Sequence, residues 1–256
     1  MKIAYRTQAY KDYDIETALN QLSELGYDGV ELCLEHPDTN LDKLTDNRIA
    51  YVKKLLRENN LGLSSVSLHC NFVDNDTCFS ELKRAIPITR KFDADLLVIS
   101  TGQLSRSETT AEKQQAVLRD RISELLALCE ANDVSLALEP EPEFIIGSTA
   151  DMLKLIEDVN HDRLKCNFDV GHSHITDPSL TSAIKLLGEK IAHTHIEDIK
   201  DKKHYHLIPG EGDIDLKSVV EALSSIGFDN YLTLDLFNFD PAIAAEPSLT
   251  YLKKLT

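Results

Sequence analysis

No CxxC pair occurs in this 256-residue chain, and its five cysteines (Cys33, Cys70, Cys78, Cys129 and Cys166) are odd in number and widely scattered. That excludes a disulfide framework and a paired-cysteine zinc site, and predicts buried free thiols. No apolar run approaches the ~20 residues of a membrane span, and the start MKIAYRTQAYKDYD lacks the apolar core of a signal peptide. A soluble, cytoplasmic protein is the expectation. Basic residues are scarce, 27 Lys and Arg against 43 Asp and Glu, for a net charge of −16 and a pI near 4.9. Such a surface repels a phosphate backbone unless a basic groove intervenes, so neither nucleic acid nor a membrane is an expected partner. Neither GxGxxG nor GxxxxGK[ST] follows the first apolar segment, which weakens the case for a doubly wound phosphate-binding sheet. No linker or low-complexity stretch divides the chain, so residues 1–256 read as a single domain.

What is present is a regular alternation. With 42% hydrophobic residues the chain can bury a large core. Short β-branched or apolar runs recur at roughly 25–35 residue intervals, separated by helical patterns. They are KIAYRT (2–7), GVELCLE (29–35), LSSVSLH (63–69), DLLVIST (95–101), VSLALEP (134–140), LKCNFD (164–169), KIAHTHI (190–196) and YLTLDLF (231–237). Between them, Asp14 caps a helix whose apolar face is Ile15, Ala18, Leu19, Leu22 and Leu25 and which Gly26 ends. Ser148 and Asp151 form a capping box, Pro178 sits in a first helical turn, and PSLTYLKKL (247–255) supplies the eighth helix. Pro87 predicts a kink or break in the third. Eight strands alternating with eight helices specify an α/β fold, a single (β/α)₈ TIM barrel.

In such a barrel the site lies at the C-terminal ends of the strands. Those ends carry Arg6, then Glu35 and His36, His69, Ser100 and Thr101, Glu139 with Glu141, Asp169 with His172, His195 with Asp198, and Asp235. Glu139, Asp169, His195 and Asp235 come from four adjacent strands. Three carboxylates and one imidazole form a hard, oxygen-rich donor set suited to Mn²⁺, Co²⁺ or Mg²⁺, with Zn²⁺ also accommodated. Asn167 and His193 share a face with Asp169 and His195 and lie deeper. Arg6 is the one cation at a strand end, a grip for substrate or the partner of a rim carboxylate.

The segments LALEPEPEF (136–144), NFDVGHSHI (167–175), HTHIEDI (193–199), HLIPGEGDID (206–215) and YLTLDLF (231–237) resemble the xylose isomerase-like TIM-barrel superfamily of sugar-phosphate isomerases and epimerases. The resemblance implies that Glu139, Asp169 and His195 are metal ligands, and that His172 meets a substrate oxygen or a second metal. Asp235 stands where the family usually has Glu. Its shorter arm implies a metal nearer strand eight or an intervening water, and puts in question its use as a proton carrier. The implied reaction is a proton transfer through an enediolate of a sugar, keto-sugar or polyol held on a divalent metal, with Glu139 as base and Asp235 as its partner. Without a basic cluster, an uncharged keto-sugar, polyol or inosose-like substrate is favoured over a sugar phosphate.

His204 and His206 stand just before PGEGDID, where an i, i+2 spacing presents both imidazoles to one side. With His172 they offer a second metal or substrate site, nitrogen-rich and suited to Zn²⁺. The resemblance extends to apurinic-site endonucleases with three zinc ions, in which His69 also matches a ligand. A multinuclear zinc phosphoesterase therefore stands as an alternative, as do a metal-dependent dehydratase and a catalytically silent scaffold. His69 and Glu141 are placed with substrate, and Asp198 with a ligand or a substrate hydroxyl. His36, His161, His174 and Glu143 are read as loop or solvated residues, and a homo-oligomer is left open.

Overall fold

In the computed structural model, which describes residues 1–256, the eight expected segments form parallel strands that pair in chain order and close on themselves. They are β1 Lys2–Arg6, β2 Gly29–Cys33, β3 Gly62–Leu68, β4 Leu96–Ile99, β5 Ser135–Leu138, β6 Leu164–Asp169, β7 Ile191–Ile196 and β8 Tyr231–Leu234. Each is shorter than or equal to the apolar run that announced it; Glu35, His69, Glu139 and Asp235 lie just past the ladder, whereas Arg6, Asp169 and His195 remain in it. Nine helices surround the barrel: α1 Ile15–Leu25, α2 Asp46–Glu58, α3 Asp76–Lys91, α4 Glu108–Asn132, α5 Thr149–Val159, α6 Val170–Thr176, α7 Leu180–Leu187, α8 Leu216–Ser225 and α9 Pro241–Leu252. None is long and apolar enough to cross a membrane.

The local signals act as their chemistry requires. Asp14 accepts from the Thr17 amide at 2.7 Å to start α1, and Gly26 ends it at φ 90°. Ser148 accepts from the Asp151 amide at 3.3 Å while donating to the Asp151 carboxylate at 2.7 Å. Other expectations need correction. Helix α3 runs through Pro87 without a break. Pro178 precedes the Ser179 cap of α7 instead of sitting in its first turn. The last helix begins at Pro241 behind an Asp240 cap, six residues before Pro247, which lies inside it. The ninth helix is α6, a short turn started by Asp169 itself, whose side chain accepts from the His172 amide. All five cysteines are free, but Cys70 and Cys78 are only half-buried.

One apolar cluster, including Leu19, Leu22, Leu32, Leu97 and Leu223, fills the space between strands and helices. A separate small one, Leu96, Val98 and Ala137, occupies the barrel floor. Above it the interior turns polar, and that layer supports the site.

His36 is not a surface residue. It is fully buried, its Nε2 bonded to the Tyr10 carbonyl at 3.0 Å and its Nδ1 accepting from the Asp38 amide at 3.1 Å. Burial pushes its pKa below the usual histidine value. The unfolded chain, with an ordinary histidine pKa of about 6.5, therefore takes up a proton before the folded one does. The stability it contributes is full above that value and is lost as pH falls toward the lowered folded pKa. Urea midpoints measured from pH 7 to pH 5 are expected to fall less steeply for His36→Gln than for the native chain.

Candidate active site

Register brings the rim together. Arg6 pairs with Glu31 across β1 and β2, while Tyr5 pairs with Leu234 of β8, which places Arg6 next to Asp235. Asp169 pairs with His195, one step above the Asn167 and His193 pair. Glu139 leaves β5 with its amide bonded to the Ile99 carbonyl. Above these residues lies a cavity of about 560 Å³, reached by Glu35, His69, Glu141, His172, His204 and His206.

Glu139, Asp169, His195 and Asp235 converge as expected, each at most 2% exposed, with one donor atom apiece all within 4.8 Å of one another. His195 Nδ1 lies 3.1 Å from Glu139 Oε2, 4.0 Å from Asp169 Oδ2 and 3.9 Å from Asp235 Oδ2. Asp169 uses Oδ1 to cap α6, and its Oδ2 has no hydrogen-bond partner. Asp235 receives Arg6 Nη1 on Oδ2 at 2.6 Å, and its Oδ1 likewise has none. Buried carboxylate oxygens without partners are costly. A divalent cation bound by three carboxylates and an imidazole would satisfy them, so the donor set fits the metal that the sequence suggested.

The electrostatics are those of a site built around charge. Burial opposes the ionised form of Glu139, yet His195, His172 and His69 hold its pKa well below the usual carboxylate range. Burial also opposes the charged form of His195, but Glu31 and Glu139 raise its pKa well above the ordinary histidine value. His69 Nε2 bonds Glu139 Oε2 at 2.9 Å, and its Nδ1 lies 2.9 Å from Arg6 Nη2 and 3.2 Å from Glu35 Oε1. Burial and Arg6 work against its charge, and Glu139 and Glu35 bring its pKa up to about 9. Glu141 lines the cavity, and burial, with Glu139 and Asp169 adding, pushes its carboxyl up to about 7. Arg6 also reaches the cavity, with its guanidinium bonded to Glu31, Asp235 and His69.

The three remaining histidines do assemble. His172 Nε2 meets His204 Nε2 at 3.0 Å, and nitrogens of His172, His204 and His206 lie within 4.8 Å of each other. His206 is buried, with Nδ1 donating to the Asp235 carbonyl at 2.7 Å, whereas His204 is exposed. Burial, then His172 and His206, lower the His204 pKa. His193 lies one layer down and is fully buried. Glu143 is exposed, and His161 and His174 are half-exposed.

Asp198 is a different matter. Its Oδ1 accepts from the amides of Ile199 and Ile214 at 2.9 and 3.1 Å, and its Oδ2 from Gly210 at 2.9 Å. It folds the loop that follows β7 and touches neither the metal donors nor the cavity. Two carboxylates missed by sequence reasoning hold the inward positions. Glu31, in the middle of β2, is fully buried beneath the site. Glu197 is also fully buried, and burial and Asp169 push its pKa well above the carboxylate range. Gly171 lies against it, since a Cβ there would collide with the Glu197 carboxyl and Ile199.

Comparison with known proteins adds three likenesses to a family match. A family model described as a xylose isomerase-like TIM barrel matches residues 19–255. Fructoselysine 3-epimerase of Shigella flexneri is 24% identical over 271 aligned positions, which cover 100% of this chain and 98% of that one. The crystal structure of 3-keto-D-glucoside 4-epimerase from E. coli superposes with a TM-score of 0.83 at 20% identity, covering 99% of both chains. That of IolI protein with a bound zinc atom gives 0.79 at 19% identity, covering 100% of this chain and 96% of the other.

Proposed function

Because the chain belongs to the xylose isomerase-like TIM-barrel family, we propose that it is a metal-dependent isomerase or epimerase of a sugar, keto-sugar or polyol derivative. The observation that carries this reading is the pair of buried, unpartnered oxygens, Asp169 Oδ2 and Asp235 Oδ1, beside Glu139 and His195. Glu139, Asp169, His195 and Asp235 would hold the metal. Its chemistry there is Lewis-acid polarisation of neighbouring carbonyl and hydroxyl oxygens, which acidifies the adjoining C–H bond.

The side chains do the rest. Glu139 is the base that takes the proton from carbon. Its Oε2 is held by His69 Nε2 at 2.9 Å and Asn167 Nδ2 at 2.9 Å, so the carboxylate is oriented before substrate arrives. Asp235 faces it from β8, with Arg6 anchoring one of its oxygens. Epimerisation needs proton carriers on both faces of the enediolate, whereas aldose–ketose isomerisation can use one. A short, anchored Asp235 therefore bears on which reaction follows. Arg6 is the single Lys or Arg lining the cavity, and its guanidinium already serves three protein partners. That supports an uncharged substrate over a sugar phosphate. The relatives named epimerase agree with the proton-transfer class, and a dehydratase would use the same base and metal.

A second reading is kept by one observation, the contact of His172 with His204 beside His206. Three imidazoles there offer a nitrogen-rich zinc site, and with it a multinuclear phosphoesterase. The end of β4 carries Ser100, Thr101 and Gly102 and supplies no further ligand. Metal analysis after loading separates the two. One equivalent of Mn²⁺ or Co²⁺ per chain is expected for the isomerase, and two or three of Zn²⁺ would favour the phosphoesterase.

A further inference from the structure

Four nitrogen or hydroxyl donors, with the Cys33 thiol more distant at 3.9 Å, converge on the carboxylate of Glu31. Oε1 accepts from Arg6 Nε at 2.7 Å, and Oε2 meets Ser65 Oγ, His193 Nε2 and His195 Nε2, each at 2.9 Å. Parallel pairing sets Glu31 beside Arg6 on one side and Ser65 on the other, and its side chain spans the barrel interior to β7. The residue is fully buried and does not line the cavity.

Two consequences follow for the donor set above it. With Nε2 of His195 engaged by Glu31, the nitrogen facing Glu139, Asp169 and Asp235 is Nδ1. With Nε of Arg6 engaged by the same carboxylate, Nη1 reaches Asp235 Oδ2 and leaves Asp235 Oδ1 without a partner. Metal-binding imidazoles depend on such outer partners, which set the tautomer and the ring orientation. We infer that Glu31 is a positioning residue of the metal site, orienting His195 through one oxygen and Asp235, by way of Arg6, through the other. The inference rests on the metal-dependent reading above.

The test uses the full chain and Zn²⁺ as probe, with affinity measured by competition against a chromophoric chelator. Glu31→Gln is expected to weaken Zn²⁺ binding by about 10–100-fold. Ser65→Ala removes a bond to the same oxygen but touches no metal donor, and is expected to bind Zn²⁺ like the native chain. Unchanged affinity in a Glu31→Gln protein whose circular dichroism is native overturns the assignment. Should that variant fail to fold, ¹⁵N NMR of the Zn²⁺-loaded native chain decides. Zinc on Nδ1 of His195 with a proton on Nε2 supports the role, and zinc on Nε2 overturns it. A native chain that takes up no Zn²⁺ overturns the metal-dependent reading and this inference with it, whereas uptake through Nε2 overturns the positioning role alone.

Discussion

Glu139→Gln is expected to lower turnover by at least about 10³-fold, the combined effect of losing a general base and weakening a metal ligand. The amide has no basicity with which to accept the carbon-bound proton. It also places an NH₂ group either where Oε2 now accepts from Asn167 and faces His69 and His195 or, turned over, where Oε1 lies 3.2 Å from His172 Nδ1. Because Glu139 is 2% exposed, neither orientation turns the NH₂ group to solvent, and one of the two acceptor positions is lost. Steady-state assays on a panel of ketoses check it. Substantial turnover in a folded Glu139→Gln protein would reassign the base to another group lining the cavity.

Metal loading is expected to stabilise the native chain strongly. A ligand that binds only the folded state adds about 2.7 kcal/mol at 100 times its Kd. In a chain of this size that corresponds to a rise in melting temperature of roughly 5–10 °C. Asp169→Asn is the informative variant, since Asn still caps α6 where Asp169 now accepts from the His172 amide. The variant should therefore keep the fold while losing most of the metal-dependent shift, as followed by calorimetry with and without added Mn²⁺, Co²⁺ or Zn²⁺. A full shift in Asp169→Asn would move the ion elsewhere, the three-histidine cluster being the next place to look.

The rim was legible because each strand is an apolar run that ends abruptly in a polar residue, and the barrel gathers those ends at one face. Glu139, Asp169, His195 and Asp235 were found that way. The polar layer beneath was harder to see, since it lies inside segments read as strands and scored for apolar content. Alternation along the chain carried the missing signal. In HTHIED, His193, His195 and Glu197 share a parity, so Glu197 faces inward and Asp198 outward, where it collects the loop amides. In GVELC, a glutamate amid apolar neighbours was a similar flag, and its register partner Arg6 lies on the adjacent strand. His36 and the start of α9 were hidden for another reason. Loop burial and caps such as Asp240 depend on which neighbours the barrel brings into contact, and spacing alone does not specify that.

The central claim is proton transfer at a substrate carbon by Glu139 in a metal-loaded barrel, and solvent isotope exchange tests it most directly. The metal-loaded chain, incubated with ketoses and inososes in deuterated water, is predicted to place deuterium on the carbon next to the carbonyl of at least one of them. Removing the metal or substituting Glu139→Gln is predicted to abolish that incorporation. Absence of deuterium from every ketose and inosose, alongside hydrolysis of a phosphoester by the zinc-loaded chain, would contradict the account.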